Sequence, residues 1–445
     1  MVQPGAGVHE HWSSRFAFLM AAIGSSVGLG NFWRFPFTAG ENGGGAFIII
    51  YLFCVALVAF PALVAEYVLG RRGGYSAVGT IGALAQESGR SRRWEGMGWL
   101  GILTSLFIVT FYSVVAGWVI AYAQFAFSGD FASGAPEEIQ AKFSELTSNP
   151  GRQLLYHAAF VALTVFIIAR GIKRGIEAAV KFLMPAFFIM LLGVVAYALI
   201  EGDVGQAASF LLRPDFSQVT FTTVQVALGQ ALFSVGVGSV LMMTYGAYLN
   251  PDQNIVGSSG FIAFSDSLVA IIAGFAIFPL VFATGLDPAG GPGLFFQTLP
   301  VAFSQVPGGS IVAGVFFLLA LFAAVTSSIS LMETGASWAE EQTGLNRRAA
   351  AVVIGVCVFM MGAGSAYSLQ YLDFVDFVTG SIMLPLGAML VAIFAGWVVK
   401  REHLMSELSH ASPSMRNIWY ILVKFVVPVG VAVILVGGLA NKFFS

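Results

Sequence analysis

The chain has 445 residues, of which 57% are hydrophobic and only 10% are charged. Soluble domains are usually about a quarter charged, so this composition argues against a soluble fold and indicates a polytopic membrane protein. The net charge of −2, without a basic stretch, gives no sign of a nucleic-acid partner. Cys54 and Cys357 lie in separate apolar runs, which favours small core residues over a disulfide or metal site.

A membrane-spanning helix needs about 20 mainly apolar residues. On this basis the sequence predicts an all-α protein with about eleven spans, forming a single transmembrane domain over 1–445. The predicted spans are 13–38, 43–70, 96–126, 152–170, 175–200, 222–248, 256–283, 309–340, 347–366, 371–399 and 416–440.

Basic residues cluster in the loops on one side of this arrangement. The positive-inside rule places those loops in the cytoplasm. We therefore expect a multi-pass protein of the cell's inner (plasma) membrane, with a cytoplasmic N-terminus and, for an odd number of spans, an external C-terminus. These basic residues are Arg71, Arg72, Arg90, Arg92, Arg93, Arg170, Lys173, Arg174, Arg347, Arg348, Lys400 and Arg401.

The first span contains the stretch 24–36, which holds three glycines, Asn31, Arg34 and a final proline. Such a stretch is a poor continuous helix, and lipid cannot satisfy freed backbone groups. It predicts a helix that breaks within the membrane and turns its carbonyls toward a ligand. A second interrupted stretch, 230–239, follows five spans later.

Two broken spans at corresponding positions predict an inverted repeat with a binding site at its interface. The repeats would cover about 13–200 and 222–399, with an extra span at about 416–440. Close helix packing by small residues is the alternative, and we favour the site.

Ionisable residues within spans are costly to bury and are therefore functional candidates. For Glu66 we prefer a structural role, in which it pairs with backbone amides or hydroxyls. Arg34 and Asp376 both lie toward the external side and could close an outer mouth as an ion pair. Glu333 has no firm explanation, although it could be a second polar gate residue.

Hydroxyls at 326–328 occupy the eighth span. Membrane-helix hydroxyls usually bond to carbonyls one turn earlier, but they also offer oxygen ligands. Oxygen-only coordination suits a hard cation and not a transition metal. Asn31, Ser234 and Asp266 could supply one such site, and the first two of the hydroxyls a second site with carbonyls of the first span.

The segment 284–308 is too short and too interrupted by glycine and proline to span the membrane. An ordinary external loop and a lid or re-entrant segment are equally consistent with its composition. Leu294, Phe295 and Phe296 form its apolar part.

These stretches closely resemble the neurotransmitter:sodium symporter family, in its eleven-span bacterial amino-acid branch. The resemblance covers nearly the whole chain. It implies a sodium-coupled amino-acid symporter that works by alternating access, without enzymatic activity and without a protein partner that we can infer. The alternative is a membrane amino-acid sensor on the same fold without net transport. The matching stretches are Ser26 to Pro36, Glu41 to Phe47, Gln230 to Tyr248, Thr326 to Ser328 and Asp373 to Phe377.

The resemblance implies two sodium sites. The ligands of the first would be the substrate carboxylate, the Ser26 carbonyl and the side chains of Asn31, Ser234 and Asp266. The ligands of the second would be the carbonyls of Gly24, Val27 and Ala323 and the hydroxyls of Thr326 and Ser327.

It also implies a site for an amino acid. The substrate carboxylate would meet the Leu29 and Gly30 amides and the Tyr112 hydroxyl, and the ammonium the carbonyls of Ser25, Phe233 and Val235. Positive potential at amide ends and negative potential at carbonyl ends of half-helices suits this division. The side-chain pocket would be lined by Ile108, Phe233, Gly236, Ser239, Ser327 and Leu331, with Phe233 as a lid.

Two gates follow from the same resemblance. Arg34 and Asp376 would form the outer gate. Glu341, if not simply solvated, would form the inner gate with Trp12 and with His9, which stands where the family usually has arginine. We expect that gate to weaken as the pH rises and the imidazole loses its charge.

Within this resemblance, five residues indicate the substrate and ion requirements. Gly28 replaces the acidic residue of monoamine transporters, which disfavours amines without a carboxylate. Asp266, followed by Ala270 one turn later, predicts transport without chloride, because the carboxylate supplies the negative charge. Gly236 and Ser239 favour large hydrophobic or aromatic amino acids over glycine or alanine.

Overall fold

The computed structural model describes residues 10–132, 135–289, 291 and 293–444, and over these residues the chain is helical without strands. Nine helices in this part are long and apolar enough to cross a membrane. They are Gly45–Gly73, Arg92–Phe127, Pro150–Ile168, Ile172–Glu201, Ile255–Ala283, Gly309–Thr343, Arg347–Tyr367, Leu369–Val398 and Pro413–Gly438.

The remaining two predicted spans are both broken. The first consists of Arg15–Ser26 and Gly30–Glu41, bent by 47°. The sixth consists of Phe221–Val235 and Leu241–Ala247, each too short to cross alone. Helical segments therefore occupy all eleven predicted positions. Shorter helices between the spans are Ala77–Glu87, Pro136–Thr147, Val204–Leu212, Leu294–Ser304, Arg401–Glu407 and the single turn Phe216–Gln218.

The break in the sixth span depends on two glycines in the left-handed region. Gly236 has φ +75° and Gly238 has φ +95°, a conformation that side chains with a Cβ rarely adopt. At Gly238 a Cβ would also lie 2.2 Å from the Leu384 carbonyl oxygen. The tenth span therefore packs directly against the backbone of this break.

Glu66 holds the same break from the second span. Its two carboxylate oxygens accept hydrogen bonds from the Gly238 amide at 2.6 Å and the Met243 amide at 3.2 Å. Both amides are freed by the interruption of the helix, and Glu66 is fully buried. This contact is the structural role predicted for Glu66, in which it satisfies backbone groups that lipid cannot.

We expect Glu66→Ala to lower the free energy of unfolding by about 2–5 kcal/mol, because two buried amides lose their acceptors. The midpoint of thermal unfolding in detergent would report this loss. Glu137→Ala, in the exposed first turn of a loop helix, is the matched control. Equal midpoints for the two variants would contradict the role of Glu66.

The segment 284–308 contains a buried helix, Leu294–Ser304. The Phe296 ring lies 5.1 Å from Tyr122, 5.5 Å from Phe143 and 5.6 Å from Trp118 between ring centroids. It also lies 6.4 Å from Trp33 of the first span. The helix Leu294–Ser304 is therefore packed into the helix bundle and is not part of an open surface loop.

Candidate functional site

In the first broken span, the Asn31 side chain caps the interruption between the two halves. Val27 is extended, with φ −74° and ψ 100°, and the helix resumes three residues later. The Gly28 amide donates to Asn31 Oδ1 at 3.0 Å. Asn31 thus satisfies a backbone group at the start of the second half, in the manner of a helix cap.

The opposite end of the Asn31 amide meets the side chains predicted for the first ion site. Asn31 Nδ2 donates to Asp266 Oδ1 at 2.8 Å and to Ser234 Oγ at 3.3 Å. Ser234 Oγ donates to Asp266 Oδ2 at 2.7 Å. Ser26 lies beside this group, and its hydroxyl donates to the Val235 carbonyl at 3.5 Å. One carboxylate, one amide and one hydroxyl therefore meet where both broken helices are interrupted.

Tyr51 is a member of this group that the sequence did not reveal. Its hydroxyl donates to Asp266 Oδ2 at 3.4 Å, and its side chain is fully buried. The sequence feature that could have indicated Tyr51 was its hydroxyl group within the otherwise apolar second span. The Asp266 carboxylate therefore accepts from three side chains and lies wholly within the protein.

The eighth span contacts the first at the second predicted ion site. Ser327 Oγ donates to the carbonyls of Ser25 at 3.1 Å and Gly24 at 3.4 Å. Thr326 Oγ1 bonds back to the Ala323 carbonyl at 3.0 Å. Thr326 thus bonds within its own helix, whereas Ser327 reaches across to the first span. Binding of a cation by these hydroxyls stays a prediction.

Close approach at this contact depends on Gly24. A Cβ at Gly24 would lie 2.8 Å from Met184 Sδ and 3.1 Å from Thr326 Cβ. The five predicted ligands of the second site are therefore contributed by two adjacent helix segments, one of which ends at Val27. Carbonyl and hydroxyl oxygens of this kind suit a hard cation.

A small cavity lies between these two groups, with a volume of about 40 Å³. Residues predicted for the substrate or ions line most of it. They are Ser25, Ser26, Gly30, Ile108, Tyr112, Phe233, Ser234, Gly236, Ser239, Ser327 and Leu331.

Gly28, Leu241 and Leu384 complete the lining. Leu241 and Leu384 were not predicted, because leucine in an apolar span carries no signal for a cavity. Leu29 and Val235 are absent from the wall but contribute backbone groups beside it. The Leu29 amide donates to the Tyr112 hydroxyl at 3.3 Å, and the Val235 carbonyl accepts from Ser26.

Arg34 and Asp376 face one another across Gly380 without closing on each other. A Cβ at Gly380 would lie 3.4 Å from Arg34 Nη1 and 3.9 Å from Asp376 Oδ1. Arg34 Nη1 is buried without a hydrogen-bond partner among the described residues. The guanidinium instead lies 4.6 Å from the centre of the Phe233 ring. Their role as an outer gate stays a prediction.

Trp12 attaches the N-terminal segment to the second, shorter half of the sixth span. Its indole Nε1 donates to the Tyr245 carbonyl at 3.2 Å and its amide to the Tyr248 carbonyl at 3.1 Å. Glu341 accepts from the Ser76 amide at 2.5 Å and the Ser76 hydroxyl at 3.0 Å. His9 lies outside the described residues, so its part in an inner gate stays a prediction.

Glu333, unexplained from the sequence, is a buried member of an ion pair near these contacts. It accepts from Arg347 Nη1 at 2.9 Å, from Arg347 Nη2 and from the Tyr248 hydroxyl at 2.8 Å. Arg347 Nε also donates to the Ile168 carbonyl at 2.9 Å. This cluster joins the fourth, sixth, eighth and ninth spans. The sequence signal for this pair was an acidic residue within the eighth span followed by a basic residue at the start of the ninth.

Comparison with known proteins agrees with this architecture. The chain matches the sodium:neurotransmitter symporter family over residues 9–140 and 138–443. It is 33% identical over 437 residues to the uncharacterized sodium-dependent transporter YhdH of Bacillus subtilis, covering 95% of this chain and 96% of that protein. An uncharacterized sodium-dependent transporter of Haemophilus influenzae is 34% identical over 448 residues, covering 97% and 98%.

Among solved structures, the crystal structure of MhsT in complex with L-phenylalanine is similar at a TM-score of 0.89 and 35% identity. The similarity covers 97% of this chain and 100% of that one. These relatives are transporters and not enzymes. The chain therefore belongs to the sodium:neurotransmitter symporter family, a family of sodium-dependent membrane transporters.

Proposed function

We propose that this chain is a symporter that couples the entry of sodium, bound at two sites, to the uptake of an amino acid by alternating access. The observation that carries this proposal is the shared use of three serines. Ser26, Ser234 and Ser327 line the cavity and also belong to the oxygen groups predicted to bind sodium. Ligands that share groups raise each other's affinity, and this reciprocity is the thermodynamic basis of coupling.

The proposed substrate is a large hydrophobic or aromatic L-amino acid. Ile108, Phe233, Leu331 and Leu384 give the cavity apolar walls. Gly236, in the interrupted sixth span, allows the wall to retreat from a bulky side chain. The complex of MhsT with L-phenylalanine supports this size class.

The substrate is also proposed to carry its own carboxylate. A Cβ at Gly28 would lie 2.5 Å from Ser327 Oγ and 3.1 Å from the Tyr112 hydroxyl. The cavity therefore has no room for an acidic side chain at Gly28 that would recognise an amine. Without that acid, a monoamine would lack a charged partner at this position.

Chloride independence is proposed from the surroundings of Asp266. The carboxylate is buried at the junction of the broken helices and accepts from Asn31, Ser234 and Tyr51. One turn later, Ala270 offers no hydroxyl for an anion. A negative charge fixed at this place would replace the charge that chloride supplies in other members.

The proposed orientation places the N-terminus in the cytoplasm and the C-terminus outside the inner (plasma) membrane. Basic residues in alternate loops support this direction. The corresponding breaks in the first and sixth spans support a five-plus-five inverted repeat followed by one extra span.

Uptake by reconstituted vesicles tests these proposals together. We expect an inward sodium gradient to drive accumulation of labelled phenylalanine, leucine or tryptophan well above that of glycine, alanine or a monoamine. Replacing chloride by gluconate should leave the rate unchanged. Sodium-dependent binding without accumulation would instead indicate a sensor, and loss of uptake without chloride would contradict the role of Asp266.

A further inference from the structure

Lys424 of the eleventh span lies among aromatic rings on the outer surface of the helix bundle. Its Nζ is 4.4 Å from the centre of the Trp397 ring, 5.5 Å from that of Tyr420 and 5.7 Å from that of Phe425. Trp397 is 54% exposed and Phe425 is 51% exposed. The ammonium group therefore lies next to the surface that faces lipid, and not in the transport path.

A second cation contacts the same tyrosine. Arg401 Cζ lies 5.0 Å from the centre of the Tyr420 ring, and its Nη2 donates to Asn417 at 2.6 Å. We call Trp397, Arg401, Tyr420 and Lys424 the lysine patch. Tyr420 itself is fixed, because its hydroxyl donates to the Gly396 carbonyl at 3.1 Å.

No carboxylate among the described residues forms an ion pair with either cation of the lysine patch. Glu407, on the same short helix as Arg401, is bound by Arg71 at 2.7 Å. Ring faces attract cations but do not neutralise their charge. Two positive charges thus share one rigid aromatic support without a negative partner.

The lysine patch lies at the end of the membrane-spanning part of the tenth span. Trp397 precedes the final residue of the span Leu369–Val398, and its indole donates to the Lys424 carbonyl at 3.1 Å. Tryptophan and tyrosine concentrate at the level of lipid headgroups, and lysine extends its ammonium group toward that level. Arg401 therefore lies just beyond the apolar part of the tenth span, where lipid phosphates lie. Lys424 lies within the span Pro413–Gly438 and is long enough to extend its ammonium group toward that level.

We propose that the lysine patch binds the phosphate of an anionic glycerophospholipid. The phosphate would lie between Lys424 and Arg401, while the acyl chains would lie against the exposed faces of Trp397 and Phe425. Basic residues beside membrane spans attract anionic lipids at about 1 kcal/mol each. The predicted cytoplasmic position of Lys400 and Arg401 places the patch in the leaflet where such lipids act on positively charged loops.

Native mass spectrometry of the delipidated, intact transporter tests this proposal with phosphatidylglycerol and phosphatidylcholine as probes. We expect Lys424→Gln or Arg401→Gln to weaken phosphatidylglycerol binding about fivefold, and the double variant about thirtyfold. Binding of phosphatidylcholine should not change, and Lys424→Arg should retain phosphatidylglycerol. Arg348→Gln, an exposed basic residue at the start of the ninth span, is the matched control.

Two results would overturn the proposal. Phosphatidylglycerol affinity in the double variant equal to that of Arg348→Gln would show that the lysine patch does not bind the lipid. A thermal stabilisation by inorganic phosphate in lipid-free detergent that depends on Lys424 and equals the effect of the lipid would show a site for free phosphate. If Lys424→Gln lowers stability equally in both lipids, the lysine only packs between the aromatic rings and the proposal fails.

Discussion

Asp266→Asn is expected to weaken sodium binding by about a hundredfold or more and to abolish sodium-driven uptake. The substitution keeps the shape of the side chain but removes the negative charge at the junction of the broken helices. Loss of one partner from a buried charge pair costs about 3–5 kcal/mol, which corresponds to such a change in affinity. Sodium titration of amino-acid binding to the purified protein measures it directly.

The matched control is Asp373→Asn, which makes the same change on an exposed side chain of the tenth span. Binding and uptake in that variant should equal those of the unmodified chain. If the sodium affinity of Asp266→Asn were within a few fold of that of the control, the Asp266 carboxylate would not be a sodium ligand. If added chloride partly restored uptake in Asp266→Asn, this would support the view that the Asp266 carboxylate supplies the negative charge that chloride can also supply.

Gly28→Ala is expected to reduce amino-acid binding by about five- to a hundredfold. The new Cβ would lie 2.5 Å from Ser327 Oγ, which is held by bonds to the Ser25 and Gly24 carbonyls. Overpacking of a tight interior costs about 1–3 kcal/mol. Because Ser327 belongs to both the cavity and the second predicted ion site, the apparent sodium affinity should fall as well.

Gly229→Ala provides the comparison for this variant. It lies in the first half of the sixth span, one turn before Phe233, and a Cβ there meets nothing within 4 Å. Competition binding with labelled phenylalanine should therefore show loss for Gly28→Ala and little change for Gly229→Ala. Similar affinities in the two variants would mean that the cavity accommodates a side chain at Gly28.

The spans and their two interruptions could be predicted because their signals are local. Apolar length predicts a span, and glycines with polar residues inside it predict a break. The contact between Asn31, Ser234 and Asp266 could be predicted because burying polar groups in lipid is costly. Such residues therefore pair with the few other polar residues within the spans. These arguments need only the identity of nearby residues and the absence of water in lipid.

Other contacts depend on packing between distant helices and gave little signal. Leu384 lines the cavity only because the tenth span packs against the break at Gly238. The pairing of Glu333 with Arg347 depends on the direction in which the ninth span begins. The separation of Arg34 from Asp376 depends on the distance between the first and tenth spans. The opposite charges of the two side chains do not determine that distance.

The hydrogen bonds from the interrupted sixth span to Glu66 affect how the second and sixth spans can move. The Glu66 carboxylate binds the Gly238 amide within the turn and the Met243 amide in the helix Leu241–Ala247. The second span also fits closely against that helix. A Cβ at Gly70 would lie 2.0 Å from the Met243 carbonyl oxygen, and one at Gly246 would lie 3.0 Å from that of Tyr67. The second span and this short helix should therefore travel as one rigid body, with the hinge of the sixth span near Gly236.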